Sequence, residues 1–222
     1  DTSNGKVASI NKVLSTATAM MANTVDQQRK KLTYSCYSDV ELNNQNQCGA
    51  ASAIGDGAYL KLDDHVNGLA TLARLGQAIP RTFLLSVTDA AGNSIYKYEK
   101  PKSKQVIKAD TAYIVNSMAS DPNASYLSGH CTATTCAPLS QGGQKYHRFN
   151  GWNFAVKTGT TNFKYDGLQT SWSTKYAMVS WIGQHDRNIP ITTAAENLTT
   201  QLARGWMEYA HAGITPVNWT QP

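Results

Sequence analysis

The stretch that decides the fold is NFAVKTGTTN, residues 153–162. A short apolar run delivers Lys157 into a glycine surrounded by threonines, which is typical of the end of a strand. Lys157 supplies a fixed positive charge, and the hydroxyls of Thr158 and Thr160 can donate hydrogen bonds to a carboxylate. Gly159 has no side chain, so a ligand can approach the backbone closely. The stretch therefore predicts a strand edge that holds the anionic end of an extended peptide.

Hydrophobic spacing on either side of this stretch predicts further helices and strands. A helix is expected over residues 9–22, and a second helix from Asp63 or Asp64 to about Leu75, with Gly76 as its stop. The remaining predicted elements are two strands around a turn at 90–93, a helix capped by Asp110, strands around 153–158 and 175–183, and a helix over about 193–211 with an apolar stripe of Leu198, Leu202, Trp206 and Tyr209.

The order of these elements indicates the fold class. Helices come first, strands follow, and one helix closes the chain. This order predicts an α+β fold in which helices pack on a mainly antiparallel sheet.

Composition places the chain among globular proteins, since 41% of its 222 residues are hydrophobic and only 16% are charged. The net charge of +5 comes from scattered basic residues, and we find no basic stripe interleaved with aromatics, so no nucleic-acid partner is expected. There is no run of about 18 apolar residues, and residues 1–20 do not resemble a signal peptide. Membrane attachment is therefore expected only through an anchor outside this chain.

Four cysteines occur as two close pairs, Cys36 with Cys48 and Cys131 with Cys136. Each pair lies in a polar loop, and an even number in local pairs favours two small-loop disulfides and an oxidising, extracytoplasmic setting. Three connectivities are possible, of which we prefer the local one.

The alternative for the second pair is a zinc site completed by His130 and His147. The spacing of these ligands matches no common zinc pattern. We therefore expect disulfides and no metal.

Lysine-threonine-glycine on a strand is one of three signatures of penicillin-binding proteins and serine β-lactamases, and the surrounding sequence also resembles that family. The similar segments follow in family order: SAIGDGAYLKLDDHVNGLATLARLGQAIP, VTDAAGNSIYKYE, KQVIKADTAYIVNSM, WNFAVKTGTTN, SWSTKYAMVSWIG, ARGWMEYAHAG and VNWTQP. The resemblance covers residues 49–222 and best fits the transpeptidase domain of the bifunctional class A type. Residues 1–222 are thus expected to be the C-terminal part of one such domain, with a helix and a polar loop over 1–48.

The resemblance implies a peptidoglycan D,D-transpeptidase that cross-links stem peptides through an acyl-serine intermediate. A donor ending in D-Ala-D-Ala would acylate a serine and release its terminal D-Ala. The acyl group would then pass from the serine to an amine of a neighbouring stem peptide. Lys157 would give electrostatic help, Thr158 and Thr160 would bind the donor carboxylate, and the Thr160 N–H would contribute to the oxyanion hole. Gly159 completes this catalytic motif. The further substrate-binding candidates are Thr161, Asn162 and Trp172.

The nucleophile of the family lies in an S-x-x-K motif and is assisted by a serine in S-x-N. Three serines here precede a lysine at that spacing, namely Ser3, Ser9 and Ser94, and Ser9 with Asn11 also satisfies S-x-N. Ser94 lies on a predicted hairpin strand, and neither of the two early serines has the flanking residues of the family. We therefore expect the nucleophile upstream of residue 1 and no activity from this chain alone, and keep Ser9 and Asn11 as minor candidates.

Other functions fit the same residues. A D,D-carboxypeptidase or β-lactamase would use water in place of the amine, whereas a non-catalytic module would bind stem peptides or a partner protein without a nucleophile. The resemblance implies no cofactor, and it implies stem peptides and β-lactam antibiotics as partners. The implied location is the extracytoplasmic face of a bacterial membrane.

Overall fold

The computed structural model describes residues 12–13, 15–21, 34–36, 58–122, 144–184, 189–191 and 195–222. The chain divides into two compact units, one comprising 1–71 with 77–107 and the other 72–76 with 108–222. Several predicted features lie outside the described residues: the helix start at Ser9, Asn11 of the S-x-N candidate, and the cysteines Cys48, Cys131 and Cys136. The side chain of Cys36 is also not described.

The first unit contains short antiparallel strand pairs and two helical segments. Residues 12–13 and 15–21 form α1, and α2 spans Leu62–Ala73, of which the last two residues group with the second unit. The strand pairs are β1 (Tyr34–Cys36) with β2 (Ala58–Leu60), β3 (Gln77–Ala78) with β6 (Lys104–Gln105), and β4 (Ser86–Thr88) with β5 (Ser94–Lys97).

Helix α2 confirms the predicted second helix and its stop. Asp63 and Asp64 lie in its first turn, where carboxylates interact favourably with the helix dipole. Leu75 and Gly76 follow the helix with φ values of 52° and 86°, so the chain leaves the helix in the left-handed region, as expected beside a C-terminal glycine. Arg81 forms ion pairs with both aspartates, which ties the segment after β3 back to the start of α2.

The second unit is built on a three-stranded antiparallel sheet. Its elements are α3 (Ala109–Ser120), α4 (Gln144–His147), β7 (Arg148–Phe149), β8 (Trp152–Asn153), β9 (Ala155–Thr160), a 3-10 turn at Asn162–Lys164, β10 (Asp166–Trp172), β11 (Ala177–Gly183) and α5 (Ala195–His211). The sheet order is β11-β10-β9, so β10 is central and β9 is an outer strand.

Helices cover both faces of this sheet. The indole N–H of Trp172 donates to Asn116 of α3, and the hydroxyl of Ser180 donates to the carbonyl of Thr199 in α5. Trp172 pairs with Ala177, three residues before Ser180, so the two contacts lie on opposite faces because side chains alternate along a strand. The core cluster comprises Tyr146, Trp152, Phe154, Val156 and Met207.

The α+β prediction is confirmed, with three local differences. Asp110 lies within the first turn of α3 and the N-cap position is Lys108, so Asp110 is not the cap. The central strand β10 was not predicted, because DGLQTSW is polar. The third difference is the apolar stripe on α5, which is exposed and comprises Leu198, Leu202, Trp206 and Tyr209. The buried face of α5 comprises Thr199, Thr200, Ala203 and Met207.

Candidate functional site

The predicted lysine-threonine-glycine strand is β9, at the outer edge of the three-stranded sheet. Lys157 and Gly159 point to one side of the strand, and Thr158 and Thr160 point to the other, because side chains alternate. The two threonines are two residues apart, about 7 Å along the strand, so one carboxylate or peptide end can contact both hydroxyls.

Exposure changes abruptly along β9. Ala155 and Val156 are buried in the core, whereas Lys157, Gly159 and Thr160 are exposed and Thr158 is half-buried. The part of the strand that a ligand can reach therefore begins at Lys157.

Local contacts hold this part of the strand. The Lys157 ammonium donates to the carbonyl of Thr158 at 2.6 Å, and the hydroxyl of Thr170 on β10 donates to the Lys157 carbonyl at 3.2 Å.

Packing does not require a glycine at position 159. A Cβ placed there would meet its nearest neighbour, the Cβ of Leu168, at 3.6 Å, an ordinary van der Waals contact. The φ of Gly159 is also outside the left-handed region. The fold therefore does not account for the glycine, and its lack of a side chain leaves the backbone open at this exposed edge.

The turn after β9 is locked by Asp166. The hydroxyl of Thr161 accepts from the N–H of Asp166 at 2.8 Å and lies 3.3 Å from its carboxylate, and the Thr161 N–H donates to the Asp166 carbonyl at 3.0 Å. The indole N–H of Trp181 donates to the other carboxylate oxygen at 3.0 Å. Thr161 is thus engaged in the turn. Asp166 was not predicted from the sequence, because its only local signal is an acidic residue shortly after a run of threonines.

Trp172 differs from the exposed candidates on β9, because its side chain is buried. It is 3% exposed, and its indole N–H donates to Asn116. We therefore leave Trp172 out of the site proposed below. Ser9 and Asn11 lie outside the described residues, and nothing is described of the side chain of Asn162.

Two buried histidines lie behind the sheet. His211 Nδ1–H donates to the Met207 carbonyl at 2.7 Å, which leaves Nε2 to accept from the Ser173 hydroxyl at 2.8 Å. His147 Nδ1–H donates to the Phe154 carbonyl at 3.0 Å, and its Nε2 is buried without a hydrogen-bond partner. Burial lowers the pKa of both rings below their usual value. Their hydrogen bonds connect α4 to the residue before β9 and α5 to the residue after β10.

A cavity of about 610 Å³ opens beside Trp152, Lys175 and Ile214. Lys175 follows the Trp172 end of β10, and that end pairs with Ala155 rather than with Thr160. The cavity therefore lies at the end of the sheet away from the exposed threonines, and the strand edge remains the candidate site.

Among the described residues, no group of three or more His, Cys, Asp and Glu side chains could hold a metal ion. In the same part of the chain, no helix combines the length and the apolar character needed to cross a bilayer.

Comparison with known proteins finds similarity to penicillin-binding proteins. No protein-family model matches the chain. Penicillin-binding protein 2D of Bacillus subtilis is 32% identical over 132 residues, which are 59% of this chain and 17% of that protein. The chain thus spans a minor part of this curated relative.

Solved structures share the fold over most of the chain. The penicillin-binding protein PonA1 of Mycobacterium tuberculosis superposes with a TM-score of 0.60 at 23% identity, covering 83% of this chain and 46% of that one, and its complex with penicillin V gives 0.59 at 21%, covering 84% and 46%. Penicillin-binding protein 1A of Haemophilus influenzae gives 0.60 at 13% identity, covering 79% of this chain and 30% of that one. The chain therefore shares the fold of a part of these penicillin-binding proteins.

Proposed function

We propose that this chain forms part of a serine-type peptidoglycan D,D-transpeptidase that penicillins acylate, and that β9 is its substrate-binding edge. The observation that carries the proposal is the exposed edge itself. Lys157, Gly159 and Thr160 are open on an outer strand whose preceding residues are buried, and neither packing nor φ requires the glycine.

The chemistry of this edge suits an extended peptide with a terminal carboxylate. An outer strand offers backbone groups that can pair with a peptide. Lys157 contributes positive charge, and the Thr158 and Thr160 hydroxyls can donate to the carboxylate. The Thr160 N–H would help to stabilise the oxyanion that forms when a serine attacks the donor. The donor would be a stem peptide ending in D-Ala-D-Ala, and a β-lactam would take its place.

The similarity to penicillin-binding proteins, one of them solved with penicillin V, supports this proposal. We propose that residues 1–222 are the C-terminal part of one transpeptidase domain and that the protein acts on the extracytoplasmic face of the membrane. We propose that the nucleophilic serine lies outside residues 1–222.

The test is acylation of the protein that contains this chain by benzylpenicillin, measured by intact-mass spectrometry. Thr160→Val keeps the shape of the side chain and removes the hydroxyl. We expect the second-order acylation rate to fall about 10- to 100-fold, since one hydrogen bond to a charged group is lost. Lys157→Met should lower the rate further, because it removes the charge. The matched control is Thr88→Val in the exposed hairpin, which should change nothing.

Peptide mapping of the adduct locates the nucleophile. An adduct on Ser3 or Ser9 would place it within this chain, against our expectation. Normal acylation of the Lys157→Met and Thr160→Val variants would show that β9 is not the binding edge. Tight peptide binding without any adduct would indicate a non-catalytic module.

A further inference from the structure

The chain beyond β9 holds a phenylalanine in an unusual backbone conformation. Phe163 has φ 60° and ψ 10°, and Lys164 has φ 60°, so two successive residues with side chains occupy the left-handed region. A bulky residue is rarely found there, and Gly or Asn would adopt this conformation at lower cost. The backbone alone therefore does not explain a phenylalanine at this position.

Burial does not explain it either. The Phe163 side chain is 82% exposed, and its ring contact is with Tyr165, at 6.3 Å between centroids and 52° between planes. Exposing a phenyl ring forgoes the gain in free energy that its burial would bring.

Hydrogen bonds anchor the backbone on both sides of Phe163. The Lys164 N–H donates to the Thr161 carbonyl at 3.0 Å, and the Lys164 carbonyl accepts from the Ile191 N–H at 2.7 Å. Thr161 is in turn bound to Asp166. Phe163 is thus fixed between these anchored residues, directly beyond the exposed end of β9.

The position of this ring follows the path of a bound peptide. A peptide whose carboxylate is bound by the Thr158 hydroxyl cannot run back along β9, because Ala155 and Val156 are buried. It must extend past Thr160, and two extended residues cover about 7 Å, the distance from Thr158 to Thr160. The side chain that precedes the terminal dipeptide therefore lies beyond Thr160, where the chain turns into Phe163.

We propose that Phe163 is a specificity-determining residue whose ring contacts the apolar part of the side chain that precedes the terminal dipeptide of the donor, or the acyl side chain of a penicillin. This inference rests on the proposed function and specifies the substrate chemistry of the same site. A flat aromatic surface favours long aliphatic or aromatic groups at that position over a bare amine.

The test compares acylation by benzylpenicillin with acylation by 6-aminopenicillanic acid, which lacks the acyl side chain. Phe163→Gly removes the ring and suits the left-handed backbone, so it separates the loss of the contact from strain. In the full protein we expect it to lower the benzylpenicillin rate about three- to ten-fold and the 6-aminopenicillanic acid rate less than about two-fold. Phe163→Tyr keeps the ring and should keep the preference. Tyr209→Ala, at an equally exposed aromatic residue on α5, is the matched control.

Two results would overturn the inference while leaving the proposed function intact: an equal loss of rate for both compounds, or no loss for either. If the unchanged protein is not acylated, the proposed function fails, and a binding measurement still tests the inference. The Phe163 signal in fluorine NMR of protein labelled with 4-fluorophenylalanine should shift with a peptide that has a long side chain before D-Ala-D-Ala. It should shift little with D-Ala-D-Ala alone, and equal shifts would contradict the proposal.

Discussion

Strand β10 and the hairpin formed by β4 and β5 reverse the usual relation between residue type and burial. The seven residues of β10, DGLQTSW, are mostly polar, and all except the half-buried Leu168 are buried. The hairpin and the segment before it carry Phe83, Leu85 and Ile95, which are 79%, 69% and 68% exposed. Residue type therefore does not decide burial in either region.

The difference lies in what surrounds each region. Strand β10 has a strand on either side and helices on both faces, so its polar groups are enclosed. Most of them find hydrogen-bond partners, although the side-chain oxygen of Gln169 has none. Thr170 donates to the Lys157 carbonyl, for example. The hairpin is a two-stranded sheet, and every residue of both of its strands is exposed. Enclosure by neighbours decides burial here, and hydrogen bonds make it tolerable for polar groups.

The largest expected effect comes from placing the same charge in both regions. Ser171→Lys would bury an unpaired ammonium at a position that is 2% exposed, and should cost about 4 kcal/mol or more of the free energy of unfolding. Ile95→Lys removes an apolar residue from the hairpin and should change stability by less than about 0.5 kcal/mol. Urea unfolding of both variants measures the contrast. A costly Ile95→Lys would show that the hairpin is covered in solution.

A smaller effect is expected where β10 meets α3. Asn116 is fully buried, its amide donates to the Leu72 carbonyl at 2.8 Å, and its oxygen accepts from the Trp172 indole at 2.8 Å. Asn116→Leu has a similar volume but leaves the buried Trp172 indole N–H without a partner and removes one of the two hydrogen bonds to the Leu72 carbonyl, so it should cost about 2–4 kcal/mol in chemical unfolding.

A double-mutant cycle is the control for this prediction. Adding Trp172→Phe removes the orphaned indole N–H, so the double variant should lose less stability than the sum of the single variants. Strict additivity would contradict a direct hydrogen bond between these side chains.

The smallest expected effect concerns the pH dependence of stability, which differs between the two regions. Burial lowers the pKa of His211, which binds Ser173 just after β10, so the unfolded state takes up its proton more readily. Its contribution to stability is complete above the ordinary value of 6.5 and is lost as the pH falls from there towards the folded pKa. In the hairpin turn, hydrogen bonds from Asn93 lower the pKa of Asp89, whose contribution to stability is lost only as the pH falls from the ordinary value of 3.8 towards the lower folded pKa.

Urea unfolding at pH 7.5 and 5.5 checks the histidine part, and hairpin amide shifts in NMR at pH 5 to 2 check the Asp89 part. In His211→Gln the residue at position 211 does not titrate. The free energy of unfolding of this variant should therefore fall less between pH 7.5 and 5.5. Because burial also lowers the pKa of His147, some loss should persist in this variant. An unchanged pH dependence in His211→Gln would rule out His211 as a source.

Local signals predicted the features that depend on neighbours in sequence. The exposed strand with Lys157, the stop of α2 at Gly76 and the turn at Gly92 each depend on a few adjacent residues. The bounds predicted for the last helix, 193–211, also agree closely with Ala195–His211. Hydrophobic spacing predicted the wrong buried face for this helix. Thr199, Ala203 and Met207 are buried, whereas the apolar stripe is exposed.

The sequence by itself thus determined the α+β class, most of the elements and the strand that carries Lys157, Thr158 and Thr160, since backbone preference and hydrophobic spacing act over a few residues. Only the tertiary structure decided that β10 is central, that Trp172 is buried, that Asp166 locks the turn and that Phe163 is held outward. These features depend on partners many residues away, such as Asn116 for Trp172 and Ile191 for the turn of Phe163. Long-range contacts choose among the burial patterns that local sequence leaves open, because they enclose a polar strand or leave an apolar face uncovered.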